Sequence, residues 1–290
     1  MDGNVAPVQR REAAAVPLRE GTWAAAVRVR LPFVEGAPLA GWGPFSLDGE
    51  RVAKREHPDL PLYGRVLVLE HGGRRVALCS ADLHGGSRWV SEHLARACQP
   101  LGFDIGNVSL CGTHNHAGPA GLYASRYYDA FVGSSSQWRL LCPGQRIAFN
   151  ETLASELVRR LALAVAEAVR ALRPATAAFS SGRLAGWSVN RSFDAFRANF
   201  PGLGPEAVKA ELVARGLVAT DDVRPLDARH GVDEAVRSLV VFDAARPEVL
   251  LAAFSTYGAH NAIQYREHEL QSSDFFGHAA LELERRAPGA

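Results

Sequence analysis

Between positions 151 and 172 the chain places Leu153, Leu157, Leu161, Val165 and Val169 at near-helical spacing, with arginines and glutamates on the other side. A segment patterned this way is an amphipathic helix, and its apolar stripe must be buried against another element. Pro174, which cannot continue a helix, stops it. The stripe commits the chain to a layered fold in which this helix lies on a sheet. Strands for that sheet are expected at 24–30, 65–70, 75–80, 107–111, 176–184, 236–242 and 249–256. The run His71-Gly72-Gly73 joins the second and third as a hairpin. Ser87 is placed to cap a helix over 87–98 that turns Val90, Leu94 and Ala97 inward. Further helices are expected at 205–215 and 275–286. Strands separated both by turns and by long helices predict a mixed α/β fold, with two packed β-sheets flanked by helices. Residues 1–20 read as a flexible arm, 21–290 as a single domain, and TDDVRPLDARHG (220–231) as surface loop.

With 290 residues the chain can bury a full-sized core. Hydrophobic residues at 47% and charged residues at 22% are an ordinary globular mix. Lys and Arg total 32 against 31 acidic residues, so no global field steers the protein to nucleic acid or anionic lipid. Neither the opening residues nor any later run is apolar enough for a signal peptide or a membrane span, which predicts no stable membrane insertion. The four cysteines, Cys79, Cys98, Cys111 and Cys142, match neither a zinc knuckle nor a redox pair. Cys79 and Cys111 lie in strand-like apolar runs where core burial is expected. A reducing cytoplasm is the simplest setting.

Residues 107–121, NVSLCGTHNHAGPAG, carry the most chemistry. His114 and His116 stand at i,i+2 spacing at the mouth of a strand, and alternate side chains on extended backbone share a face. Two such imidazoles can hold a divalent metal, or one can hold it while the other meets a substrate. A polar turn with two solvent-facing histidines is the plainer alternative. Upstream, Asp82 and His84 repeat the i,i+2 geometry at another strand end, so two pairs on neighbouring strands would make a self-contained site. Asp82 capping a loop or helix is its structural alternative. There is no P-loop, no G-x-G-x-x-G and no H-E-x-x-H. Ser192 lacks the G-x-S-x-G surroundings of an activated nucleophile. The aromatics Trp42, Trp89, Trp138, Tyr123, Tyr127, Tyr128 and Phe131 group around the motif loops, where most read as core, and the run YASRYYDAF (123–131) directly after the histidines can wall a pocket for an apolar acyl group.

GTHNHAGPAG (112–121) resembles the GTHTHxGPGG motif of the neutral, non-lysosomal ceramidase family. In the same order, SADLHG (80–85), VNRSFDAFRANFP (189–201), VDEAVRSLVVFD (232–243), LLAAFSTYGAH (250–260) and SSDFFGHAALELE (272–284) resemble further family segments. The resemblance spans roughly 22–286 and concerns the family's N-terminal catalytic domain. It implies a zinc-dependent amidase that cleaves an N-acyl bond, with His114 as zinc ligand and His116 polarising the carbonyl. It also implies that Arg191, in the NRS segment, meets a carboxylate or oxyanion; a buried salt bridge holding a loop is the alternative.

Two departures stand beside the resemblance. Tyr257 occupies the place of the family's second zinc-binding histidine, and His260 lies three residues further on. Either His260 has taken over as ligand or it is a surface loop histidine; Tyr257 as phenolate requires loss of a proton of pKa about 10. The family's serine, glutamate and tyrosine lie beyond the matched region, so the remaining metal ligands are sought among Asp82, His84, His268, Asp274 and His278. Three readings follow: a compact zinc hydrolase of a small N-acyl substrate, one subunit of a split amidase completed by a homo-oligomer or complementary subunit, or an inactive binding protein. On the second, an unfinished edge is expected beside His114, with the partner's contact along the FSTYGAHNA (254–262) and SSDFF (272–276) segments.

Overall fold

The computed structural model describes residues 21–40, 52–125, 149–264 and 268–287. The arm expected over 1–20, the aromatics Trp42, Tyr127, Tyr128, Phe131 and Trp138, and Cys142 lie outside the described residues.

The strands are β1 (Thr22–Arg30), β2 (Arg55–Glu56), β3 (Tyr63–His71), β4 (Arg74–Ala81), β5 (Val108–Gly112), β6 (Arg173–Arg183), β7 (Ala235–Asp243), β8 (Leu250–Thr256) and β9 (Leu270–Gln271). They form a seven-stranded sheet in the order β5-β4-β3-β1-β6-β7-β8 and a two-stranded parallel sheet of β2 and β9. The helices are α1 (Arg88–Cys98), α2 (Glu151–Arg170), α3 (Phe193–Arg197), α4 (Pro205–Ala214) and α5 (Asp274–Arg286). The fold is thus mixed α/β, with two sheets flanked by helices.

Helix α2 forms where the stripe placed it. The Asn150 side chain accepts from Leu153 N at 2.9 Å, while Glu151 and Arg170 sit at the ends that favour their charges. Leu153, Leu157, Leu161 and Val165 are buried, each contributing roughly 1.5–3 kcal/mol of apolar transfer. Val169 is half-buried. The helix packs on β1 and β3 and against α1. Leu161, Val165 and Ala168 join Val66, Val68, Leu94 and Cys98 in one core cluster.

β3 and β4 form a hairpin whose turn has two residues, with His71 paired to Arg74. Gly72 and Gly73 have φ of 56° and 73°, the left-handed pair that a type I′ turn requires. Ser87 caps α1 as expected, its hydroxyl accepting from Val90 N at 3.3 Å. The inward face is Val90, Leu94, Ala95 and Cys98, whereas Ala97 is exposed: the buried row runs in steps of four from Val90 and misses it. Cys79 is buried, but Cys111 is exposed because β5 is an edge strand of the sheet among the described residues. β4 and β5 are parallel and α1 crosses between them, so both strands end at the same side.

The chain divides into two compact units. The larger lies within Leu18–Ala177, Val241–Ala252 and His260–Ala290; the smaller holds Ala178–Val240 and Ala253–Ala259. In the smaller, Val208, Leu212 and Val218 are buried against Phe196, Phe200 and Leu226. The segment expected as surface loop over 220–231 is partly internal. Lys209 donates to the Asp222 carbonyl at 2.6 Å, Arg224 pairs with Asp222 and Glu234, and His230 and Glu234 are buried. A charge-rich stretch reads as solvated, yet here its charges neutralise one another within the unit.

Candidate metal centre

The parallel pairing of β4 with β5 ends at Ala81 opposite Gly112, and two loops leave the sheet side by side. Thr113 N donates to Ala81 O and Asn115 N to Leu83 O, both at 3.0 Å. The loops touch because both carry glycine at the crossing: a Cβ on Gly112 would lie 2.5 Å from Gly85 Cα. The first loop carries Asp82 and His84, the second His114 and His116.

His84, His114 and His116 each direct a donor nitrogen into one space, and these atoms lie within 4.8 Å of one another. His114 and His116 do not converge by strand alternation. The strand has ended, His114 adopts φ of 58°, and it is exposed while His116 is buried. A left-handed histidine is uncommon and costs about 1–2 kcal/mol. His114 Nδ1 lies 3.1 Å from His84 O. A ligating imidazole typically donates its second nitrogen to such a carbonyl, which leaves Nε2 for an ion. Burial, and then the neighbouring His114 and His260, push the His84 imidazole down to about 4. It is therefore neutral near pH 7, the form that binds a metal.

His260 joins this group from the segment after β8. Its Nε2 stands 2.6 Å from His116 Nε2, and its ring centroid is 4.6 Å from that of His114. The donors present, imidazoles crowded around one space, suit a divalent ion such as zinc.

Asp82 is placed differently. Its buried carboxylate accepts from Tyr63 N at 2.9 Å and from Arg65 Nη1 at 3.1 Å, so it faces the sheet's Arg65 and is not one of the three side chains whose donors converge. Burial raises its carboxyl above the usual range, an effect Arg65 and the Tyr63 N–H oppose. Arg65 also bonds Glu284 of α5 at 2.8 Å. His268 and His278 are exposed, and Asp274 accepts from Gln264 N and Phe275 N. Tyr257 lies in the smaller unit, where its hydroxyl donates to Leu184 O at 3.3 Å. Arg191 belongs to the same unit and is exposed just ahead of α3.

Two asparagines that the motif reading passed over hold the loops. Asn115 is fully buried; its Nδ2 donates to Asp82 O at 3.0 Å and Ser272 O at 2.6 Å, and its Oδ1 accepts from Ala117 N at 2.9 Å. Asn261, also fully buried, donates to Thr113 Oγ1 at 3.4 Å and accepts from Phe276 N at 3.3 Å. Each follows a cluster histidine directly, in His114-Asn115 and His260-Asn261, and that repeated pair was the available signal.

A sequence model of the neutral/alkaline non-lysosomal ceramidase N-terminal region matches residues 39–290. The chain belongs to that family. It is similar to the neutral ceramidase of Drosophila pseudoobscura pseudoobscura, with 25% identity over 229 residues that cover 77% of this chain and 27% of that one. Its fold resembles the crystal structure of neutral ceramidase from Pseudomonas aeruginosa, with a TM-score of 0.67 and 20% identity over 93% of this chain and 36% of that one. A second solved structure, a ceramidase complexed with C2, gives a TM-score of 0.65 and 19% identity over the same shares. The chain thus spans about a third or less of the length of these relatives. The family resemblance drawn from the motif segments is borne out. Among the described residues, no helix is long and apolar enough to cross a membrane.

Proposed function

We propose that this chain provides the metal-binding histidine cluster of a hydrolase that cleaves the N-acyl amide bond of a small acylated molecule. The observation that carries this reading is the convergence of the His84, His114 and His116 donors, with His260 against His116. In this reading His114, His84 and His260 hold zinc, and His116 is the group that polarises the amide carbonyl. Zinc there supplies a Lewis acid for the carbonyl oxygen. His116 is buried, so a proton held on its ring acts on developing negative charge at short range and low screening. Asp82 fixes the first loop through Arg65. Arg191 is assigned to a substrate carboxylate or oxyanion on the NRS segment alone.

The test is metal content and hydrolysis by the purified chain. Zinc near one equivalent, lost in His114→Ala, with release of amine from short N-acyl amines or N-acyl amino acids, is the expected result. A chain that binds no zinc, or that cleaves only ceramide in bilayers, would overturn it. The cytoplasmic setting belongs to this proposal and rests on the cysteines, of which Cys79, Cys98 and Cys111 are free thiols.

The position of β5 at the edge of the sheet among the described residues favours a second reading, in which another copy or a complementary subunit lies along Val108–Gly112 and completes the site. Sedimentation of the zinc-loaded chain with and without a charged substitution at Ser109 separates the two.

A further inference from the structure

His84 is held by a specific contact at Nδ1. Its Nδ1 lies 3.0 Å from the Tyr123 hydroxyl, with the rings edge-on at 84°. The chain is bent twice to bring this tyrosine in: Gly121 has φ of 77° and Ala124 φ of 52°. The ring itself packs on the buried Ala40 and Ala120. Space for the hydroxyl is made by Gly85, where a Cβ would lie 2.7 Å from the Tyr123 oxygen. Four features of the chain therefore converge on one oxygen beside one imidazole nitrogen.

We infer that Tyr123 is a positioning residue of the histidine cluster: its oxygen accepts the Nδ1–H of His84 and so selects the tautomer whose Nε2 lone pair faces the ion. The contact can run either way in a neutral imidazole. Were the phenol to donate, Nε2 would carry the proton and His84 could not ligate. With the imidazole donating, Tyr123 does for His84 what the His84 carbonyl does for His114 Nδ1. Gly85 is then required on two counts, for the approach of Gly112 and for the seat of the phenol.

The inference rests on the proposal that His84 is a ligand, and the experiment separates the two. Zinc affinity is measured by chelator competition on the full chain for Tyr123→Phe, Gly85→Ala, His84→Ala and His114→Ala. The His84 tautomer is read in the metal-free protein by nitrogen–proton correlation spectroscopy. Tyr123→Phe keeps the ring on Ala40 and Ala120, so its thermal unfolding should match the parent. Expected are a zinc affinity weaker by about 10–100-fold, as for loss of an outer-shell partner, and a His84 resonance that shifts from the Nδ1–H form. Gly85→Ala should move both readings the same way. If His114→Ala loses zinc while Tyr123→Phe keeps parental affinity and tautomer, the role of Tyr123 is overturned and the cluster stands. If His114→Ala and His84→Ala both keep zinc, the metal reading fails, and this inference with it.

Discussion

His116 and His260 are separated by 144 positions in the chain, yet their Nε2 atoms lie 2.6 Å apart. Two imine nitrogens this close can share one proton or one ion, but cannot each hold a proton between them. In the proposed site the ion would take the lone pair of His260, leaving His116 to keep its proton for the carbonyl.

His260→Ala is therefore expected to weaken zinc binding by more than the roughly 10–100-fold that an outer-shell partner contributes. His260→Gln, which keeps size and some polarity, should recover little of it. Chelator competition measures both. Parental affinity in His260→Ala would remove this residue from the shell.

His114 sets function against stability. Its φ of 58° favours glycine, so His114→Gly should make the metal-free protein more stable by a net of roughly 0.5–1 kcal/mol while abolishing zinc binding. Urea unfolding without metal gives the sign. A variant less stable than its parent would show that the ring's contacts outweigh the backbone strain.

Removing Arg65 leaves the buried Asp82 carboxylate without its ion pair. Arg65→Met should cost about 3–5 kcal/mol, as for one partner lost from a buried pair. Pairing it with Asp82→Asn should return part of the loss, because a neutral amide needs no counter-charge. Equal unfolding midpoints for Arg65→Met and the parent would mean that the pair contributes nothing.

The thiols should separate by accessibility. Burial pushes Cys79 up to about 12 and Cys98 up to about 11, so neither forms appreciable thiolate at pH 8, whereas Cys111 is exposed on the edge strand. Of these three thiols, iodoacetamide at that pH, followed by peptide mapping, should mark Cys111 first and Cys79 and Cys98 only after unfolding. Early modification of Cys79 would contradict its place in the core.

Much of the framework was legible because its signals are local. The stripe of α2, the Ser87 cap and the Gly72-Gly73 turn each lie within a few residues of their partners. Ala97 and Cys111 were misplaced because burial depends on which neighbour covers a face, and a strand's own pattern does not say whether it ends a sheet. The charged run around Asp222 was misread for the same reason: its counter-charges include Lys209 and Glu234, which lie outside it.

At the candidate site, the sequence alone marked His114 and His116, and with them the family, since a short motif at a strand end is a contiguous pattern. It also marked the second pair, Asp82 and His84. Only the tertiary structure decided which of these face one another. Parallel pairing of β4 with β5 set the two loops side by side, and Gly85 and Gly112 let them touch. Arg65 drew Asp82 toward the sheet, while Asn261 secured the loop that carries His260. A side chain's direction is settled by the partners that satisfy its polar atoms once it is buried, and those partners come from distant parts of the chain.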